Sequence, residues 1–289
     1  MTAIQDAPLI RPGIGHGLQD VFRQRYLLKL LVRKEIKLRY RGSVLGILWS
    51  YVKPAVQFIV FYIALGVFLG LNRNVGNYAV YLFSGIVLIN FFTEALNNAA
   101  KSVVYNSGLI KKIFMPRELF PVASVFVSAA HFFPQLVVLV IGCVVTGWRP
   151  TLLGLLAGVA GFLVLAMLSV GLGLFFSSVN VYFRDSENFV ELMLMIATWA
   201  SPVMYQWTMV HEKLGDFWFG VYQSNPVTVG VELFHYAFWS TTSGGDTALA
   251  APPQLFELWL PIALIVSAAV LALGQFTFRK LEVKFAQEL

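Results

Sequence analysis

The sequence predicts an all-α integral membrane protein: six transmembrane helices, an N-terminal interfacial amphipathic helix before them, and two short re-entrant outer-leaflet helices before the last span. Three observations carry that reading. Hydrophobic residues make up 58% of the 289 residues and charged ones only 12%, with a mean hydropathy of +0.72, which leaves too little polar surface to cover a soluble globule. Apolar runs close to 20 residues long recur, the length a helix needs to cross a hydrocarbon core of about 30 Å. Lys and Arg also concentrate on alternate connections between those runs, as membrane orientation requires.

Residues 1–17 contain Pro8, Pro12, Gly13, Gly15 and Gly17 but no apolar core, so they read as a flexible cytoplasmic tail and not as a signal peptide or span. Residues 18–47 form a basic interface helix and turn. In "LQDVFRQRYLLKLLVRKEIKLRYR" (18–41) cations alternate with Leu, Val, Phe and Tyr, and long basic side chains can snorkel to the membrane surface. Two roles are open to it: an anchor on anionic lipid, or a receiver of an anionic substrate through Lys37, Arg39 and Arg41. "RGSVLG" then turns the chain. Lys53 and Pro54 fall about one turn inside the following span, where an ionisable group must snorkel, pair or face a wet cavity.

The six-helix region is placed at 48–278, with spans near 48–71, 78–99, 119–146, 152–178, 189–207 and 255–278, followed by a cytoplasmic tail at 279–289. Seventeen Lys/Arg flank one side of this arrangement and three (Arg73, Arg149, Lys213) the other, placing both termini in the cytoplasm. The segment "FWFGVYQSNPVTVGVELFHYAFW" (217–239) is apolar enough to cross, but a seventh crossing would put "FRKLEVK" outside. Ser224-Asn225-Pro226 also interrupts it, because proline restricts the preceding residue and donates no helix bond. Two short helices that enter the outer leaflet and return are predicted there, with an external loop at 240–254.

Several residues are candidates for chemistry. Glu94, with Asn90, Thr93, Asn97 and Asn98, makes the cytoplasmic half of the second span polar on more than one side; an intramembrane carboxylate there serves either function or a helix end. His131 and Gln135, one turn apart beside Pro134, suit a helix–helix contact or a substrate contact. The loop 106–117 exposes Leu109, Ile110, Ile113, Phe114 and Met115 beside Lys111, Lys112 and Arg117 unless lipid or a partner covers them, and Pro116 ends its short helical stretch. "FRDSEN" (183–188) offers Arg184 and Asp185 as a possible ion pair at a second cytoplasmic contact. No G-x-x-x-x-G-K-[ST] phosphate loop and no clustered metal ligands occur, so ATP-driven work would belong to another chain and no metal or other cofactor is expected in this one. The lone Cys143 lies in an apolar run and reads as packing.

"LRYRGSVLGILWSYVKPAVQFIVF", "IKKIFMPRELFPVA" (110–123), "VYFRDSENFVE" (181–191), "SPVMY" (201–205) and "NPVTVGVELFHYAF" (225–238) together resemble, in order, the membrane subunits of ABC-2 type polysaccharide exporters. That resemblance spans about residues 25–280. It implies a half-transporter that homodimerises and pairs with two copies of a separate cytoplasmic ATPase, which would hold ATP and Mg. It implies capture of a lipid diphosphate by Lys37, Arg39, Arg41 and Lys53, and ATPase coupling through Lys111, Lys112, Phe114, Met115, Pro116, Arg117, Arg184 and Asp185. It places Tyr51, Phe58, Phe61, Tyr62, Glu94, Trp199, Tyr205 and Trp207 along a channel, where aromatic faces suit a sliding glycan, and Asn225, Pro226 and Glu232 at a gate. The cargo it implies is a lipid-linked O-antigen, teichoic acid or, for an actinobacterial member, cell-wall galactan. The partners are therefore the ATPase, a second copy, the lipid-linked polysaccharide and membrane lipid, with no nucleic acid. A small-molecule ABC-2 exporter, an ion-coupled transporter relying on Glu94 and a membrane transferase are the competing classes.

Overall fold

In the computed structural model, residues 17–113, 115–242 and 251–289 are described; all but Gly17 of the predicted tail at 1–17, most of the loop at 240–254, and Phe114 lie outside them. All regular structure among the described residues is helical. Two N-terminal helices, α1 (Leu18–Arg23) and α2 (Arg25–Arg39), precede a tight turn and the first long helix, α3 (Trp49–Phe68). The long helices α4 (Tyr78–Tyr105), α5 (Leu119–Val145) and α6 (Leu152–Tyr182) follow. Then come α7 (Ser186–Trp199), α8 (Trp207–Gln223), α9 (Pro226–Phe234, extended by a π-helical turn His235–Trp239) and α10 (Leu255–Glu282).

Five of these helices, α3, α4, α5, α6 and α10, are long and apolar enough to cross a membrane. The predicted span at 189–207 is different. Its helix, α7, has 14 residues, which at 1.5 Å per residue reaches about 21 Å, and an irregular segment at 200–206 continues it.

The bundle is built around α4. In its most apolar stretch 72% of residues are buried, against 11% for α3 and 17% for α10. Leu82, Ile86, Leu88, Leu96 and Ala99 of α4 are fully enclosed by α5, α6, α7 and α9. Lipid tails are as apolar as these side chains, so the helices hold together through close packing and polar contacts. Close packing is extreme where α6 crosses α10: a Cβ on Gly171 would lie 2.7 Å from the Leu271 backbone, and one on Gly274 would collide with the Gly171 carbonyl.

The helix pair predicted at 217–239 is a reversal with two turns. Gly215 (φ 69°, ψ 174°) breaks α8, and beyond it the chain doubles back, so that Phe219 meets Trp207 (ring centroids 6.0 Å) and His211 (4.7 Å). Positive φ is the conformation glycine adopts without cost. The second turn falls at Ser224-Asn225-Pro226, where proline occupies the first turn of α9 and the Asn225 side chain accepts the Val227 amide hydrogen at 3.0 Å. α9 therefore begins near the middle of α6, its Gly230 resting on Leu165, and runs to the far end, where the Trp148 indole donates to the Ala237 carbonyl at 3.0 Å.

At the opposite, basic end, α1 and α2 lie on the start of α5. Val21 and Leu31 pack with Leu119, Phe120, Val122 and Ala123, and Leu109, Ile110 and Met115 join the same cluster. The protein's own N-terminal helices thus cover part of the loop whose apolar residues were expected to need lipid or a partner; Ile113 stays 49% exposed.

Candidate functional site

A cavity of about 880 Å³ opens in the basic half of the bundle between the end of α2 and helices α3, α4, α5 and α7. Its α4 wall consists of Asn90, Thr93, Glu94, Asn97, Asn98, Lys101 and Tyr105. At about 100° per residue these positions span a single arc, which corrects the expectation that this half of α4 is polar on more than one side. The polar stripe faces the cavity, while Ala95, Leu96, Ala99 and Ala100 face the core.

The interface helix supplies the mouth. Arg39, at the last turn of α2, pairs with the Glu94 carboxylate, and its Nη1 lies 2.6 Å from His131 Nδ1 on α5. The same His131 Nδ1 lies 2.7 Å from Glu94 Oε1. Next to Arg39, the Tyr40 hydroxyl meets Ser50 Oγ at 2.7 Å, and its ring stands edge-on to His131 at 5.7 Å. One dipeptide therefore ties α2 to α3, α4 and α5. Lys53 is exposed on α3 at the cavity rim, with no hydrogen-bond or ion-pair partner among the described residues, whereas Lys101 pairs with Glu191 at 2.9 Å and Glu187 at 3.9 Å. Deeper in, the Asn90 amide donates to Gln57 at 3.0 Å.

Of the four cationic candidates, Arg39 and Lys53 line this cavity, and Lys37 and Arg41 are exposed outside its lining. Glu94 and His131 line it together, a pairing the sequence did not reveal because 37 residues separate them. Of the aromatic candidates, Phe58, Phe61, Tyr62 and Trp199 lie beyond it, on the next turns of α3 and α7. Phe58 meets Phe83 (5.4 Å), Phe61 meets Trp199 (6.4 Å) and Tyr62 meets Tyr78 (6.3 Å). The Tyr205 hydroxyl donates to the Trp199 carbonyl at 2.9 Å, Trp207 packs on Phe219, and Tyr51 is half-buried outside the cavity lining.

At the α8–α9 turn, Pro226 and Glu232 are buried and Asn225 half-buried. Glu232 Oε2 lies 3.8 Å from His235 Nδ1, and the His235 ring stacks on Tyr81 at 3.8 Å between centroids. Tyr81 in turn donates to the Tyr205 carbonyl at 2.7 Å and faces that of Pro202 at 3.0 Å, while Tyr78 donates to Met204 at 2.9 Å, so α4 holds the irregular segment after α7 in place. The sequence reading passed over His235 and Tyr81. The three-residue spacing of Glu232 and His235 on one helix face was the available signal.

The residues proposed for coupling divide into two groups. Lys111, Lys112, Arg184 and Asp185 are exposed, and Arg184 and Asp185 make no ion pair among the described residues, contrary to expectation. Both precede Ser186, the first residue of α7, with Asp185 at its N-cap position, and each side chain is exposed. Met115 and Pro116 are half-buried, and Arg117 donates to the Glu282 carbonyl while its guanidinium sits 5.7 Å from the Phe285 ring, so it fastens the C-terminal turn to the bundle.

Comparison with known proteins places this architecture. The chain is 28% identical over 267 residues to the O-antigen export system permease protein RfbA of Klebsiella pneumoniae, covering 91% of this chain and 95% of that protein. It is 23% identical over 257 residues to the capsule polysaccharide export inner-membrane protein CtrC of Neisseria meningitidis, covering 88% and 93% of the two chains. It is 22% identical over 214 residues to the polysialic acid transport protein KpsM of Escherichia coli, covering 73% and 80%. Residues 26–239, well over half of the sequence, match the ABC-2 type transporter family as a unit. With five membrane-length helices, α4 at their centre, and a match of that extent, the chain belongs to the ABC-2 type transporter family of membrane proteins.

Proposed function

We propose that this protein is the membrane-spanning half of an ATP-driven exporter, which moves a lipid-diphosphate-linked polysaccharide across the cytoplasmic membrane as a homodimer with two copies of a separate ATPase. The observation that carries the reading is the cavity in the basic half. It joins cations at its rim, which suit phosphate, to amides and hydroxyls on α4, which suit sugar hydroxyls, and it leads to the aromatic turns of α3 and α7. The polysaccharide-exporting relatives support the same cargo class.

In this reading both termini are cytoplasmic. α7 with the segment 200–206 completes a sixth crossing, and the α8–α9 reversal forms an outer gate around Asn225, Pro226 and Glu232. Lys37, Arg39, Arg41 and Lys53 gather the diphosphate at the membrane surface, and the exposed Lys111, Lys112, Arg184 and Asp185 meet the ATPase. The sparsely buried α3 is left for lipid and the second copy.

The test is extraction of the native complex in mild detergent, with the chain ratio and ATP turnover measured, followed by ATP-dependent uptake of lipid-linked polysaccharide into inverted vesicles. A two-plus-two complex with ATP-driven uptake is expected. A chain that purifies alone and shows no ATP-dependent transport overturns the reading.

A further inference from the structure

Two groups converge on one nitrogen at the cavity mouth. His131 Nδ1 lies 2.6 Å from Arg39 Nη1 and 2.7 Å from Glu94 Oε1, and Arg39 and Glu94 also pair directly. An imidazole nitrogen either carries a hydrogen and donates or is bare and accepts. If Nδ1–H donates to Glu94, it confronts the N–H of Arg39. If Nδ1 is bare and accepts from Arg39, its lone pair confronts the carboxylate. In either tautomer one contact to Nδ1 is repulsive, so although the carboxylate has lone pairs for both donors, the crowded triad is relieved only by parting Arg39 from His131: either Arg39 stays on Glu94 with the imidazole drawn back, or His131 Nδ1–H holds Glu94 with Arg39 released.

The surroundings favour such an exchange. His131 is 3% exposed, and its other nitrogen, Nε2, and the neighbouring Gln135 Oε1 have no partner among the described residues, so the imidazole is not fixed by any second hydrogen bond. The Arg39 side chain is about one-third exposed and sits at the end of α2, free to turn outward along the cavity rim, whereas Glu94, partly exposed to the same cavity, is anchored in the middle of a long apolar helix. Removing one partner of a charge pair in such a place ordinarily leaves an uncompensated charge, the costly event in breaking buried pairs. A waiting imidazole donor removes that cost.

We infer that Arg39, Glu94 and His131 form a partner-exchange lock at the cavity mouth, in which the diphosphate of the lipid-linked substrate takes Arg39 from Glu94 and His131 takes over the carboxylate. The inference rests on the proposed capture of a lipid diphosphate at this end of the protein. It makes Glu94 a competitor of the substrate and not a channel contact. It also makes capture a mechanical event, because Arg39 is the link at the last turn of α2 to α4 and α5, beyond the Lys34–Asn106 hydrogen bond and the packing of Leu31 on α5; its transfer to substrate loosens that last turn of the interface helix.

The experiment measures equilibrium binding of a fluorescent prenyl diphosphate to the full chain, with its co-purifying subunits, in phosphatidylcholine nanodiscs. Arg39→Gln is expected to weaken binding about tenfold, the scale of one charge-assisted contact. Glu94→Gln, which preserves shape and removes the competitor, is expected to tighten binding several-fold, and the double variant should match Arg39→Gln alone. His131→Phe keeps a ring beside Tyr40 but supplies no donor, so it should weaken binding with Glu94 present and have no effect in the Glu94→Gln background. That dependence separates exchange from a packing role. If Arg39→Gln weakens binding while Glu94→Gln does not tighten it, or if His131→Phe acts equally in both backgrounds, the lock is overturned and capture by Arg39 stands. If Arg39→Gln changes nothing while Lys37→Gln, Arg41→Gln or Lys53→Gln weakens binding, the lock fails and capture belongs to the other cations. If none of the four cations matters, the capture reading fails with it.

Discussion

Tyr81 holds the irregular segment after α7 through one hydroxyl shared between two carbonyls, and the same ring lies against His235. Tyr81→Phe keeps the ring and strips the donor, leaving both carbonyls short of a partner in a buried place. We expect a loss of about 1 kcal/mol, the scale of interhelical hydrogen bonds in membranes, read as a lower melting temperature in mild detergent. An unchanged melting temperature would mean that the segment is held by its neighbours alone. Arg117 illustrates how a residue type can mislead: from sequence it was one more cation in a basic loop, but in the fold its guanidinium is committed to the Glu282 carbonyl and the Phe285 ring. Glu94 was legible as an anomaly, since a carboxylate deep in an apolar helix demands a partner, but the partner's identity required three-dimensional proximity across helices.

At the level of elements, the α6–α10 crossing depends on two glycines whose missing side chains let the backbones touch. Gly274→Val forces the helices apart and should cost at least about 2 kcal/mol, as overpacking does, appearing as a sharp fall in monodisperse protein after extraction. Gly142→Ala, on an open face of α5 with nothing within 4 Å, is the matched control and should behave as wild type. The loop between α4 and α5 makes a second comparison. Met115 packs into the α2–α5 cluster, so Met115→Asp should lower stability as well as transport. Lys111 and Lys112 are exposed, so reversing both to Glu should reduce export about tenfold at unchanged melting temperature if they meet an ATPase, since rim charges govern association and not folding. Unchanged export would remove these lysines from any docking surface. The break at Ser224-Asn225-Pro226 was readable beforehand because proline dictates local geometry. The reversal at Gly215 was not, because a lone glycine in an apolar run is compatible with helix, kink or turn.

For the whole molecule the decisive observable is topology. In a Cys143→Ala background, single cysteines at Arg41, Lys112 and Lys284 should react with a membrane-impermeant maleimide only from the cytoplasmic side, and cysteines at Arg149 and Lys213 only from outside. Labelling of position 284 from outside would give an odd number of crossings and remove the six-span arrangement. Composition, run length and charge bias determined by themselves that the chain is helical, membrane-embedded and crossed by long apolar spans, because a bilayer leaves an isolated segment few alternatives to a helix of a given length. The ordered motifs determined the family. Only the tertiary structure decided that α4 is the hub, that its polar residues form one stripe facing a cavity, that α2 covers part of the adjacent loop, and that Arg39, Glu94 and His131 meet. Those facts depend on which helix faces touch, and the uniform hydrophobicity of membrane helices erases the inside-outside contrast that would otherwise write such faces into a sequence.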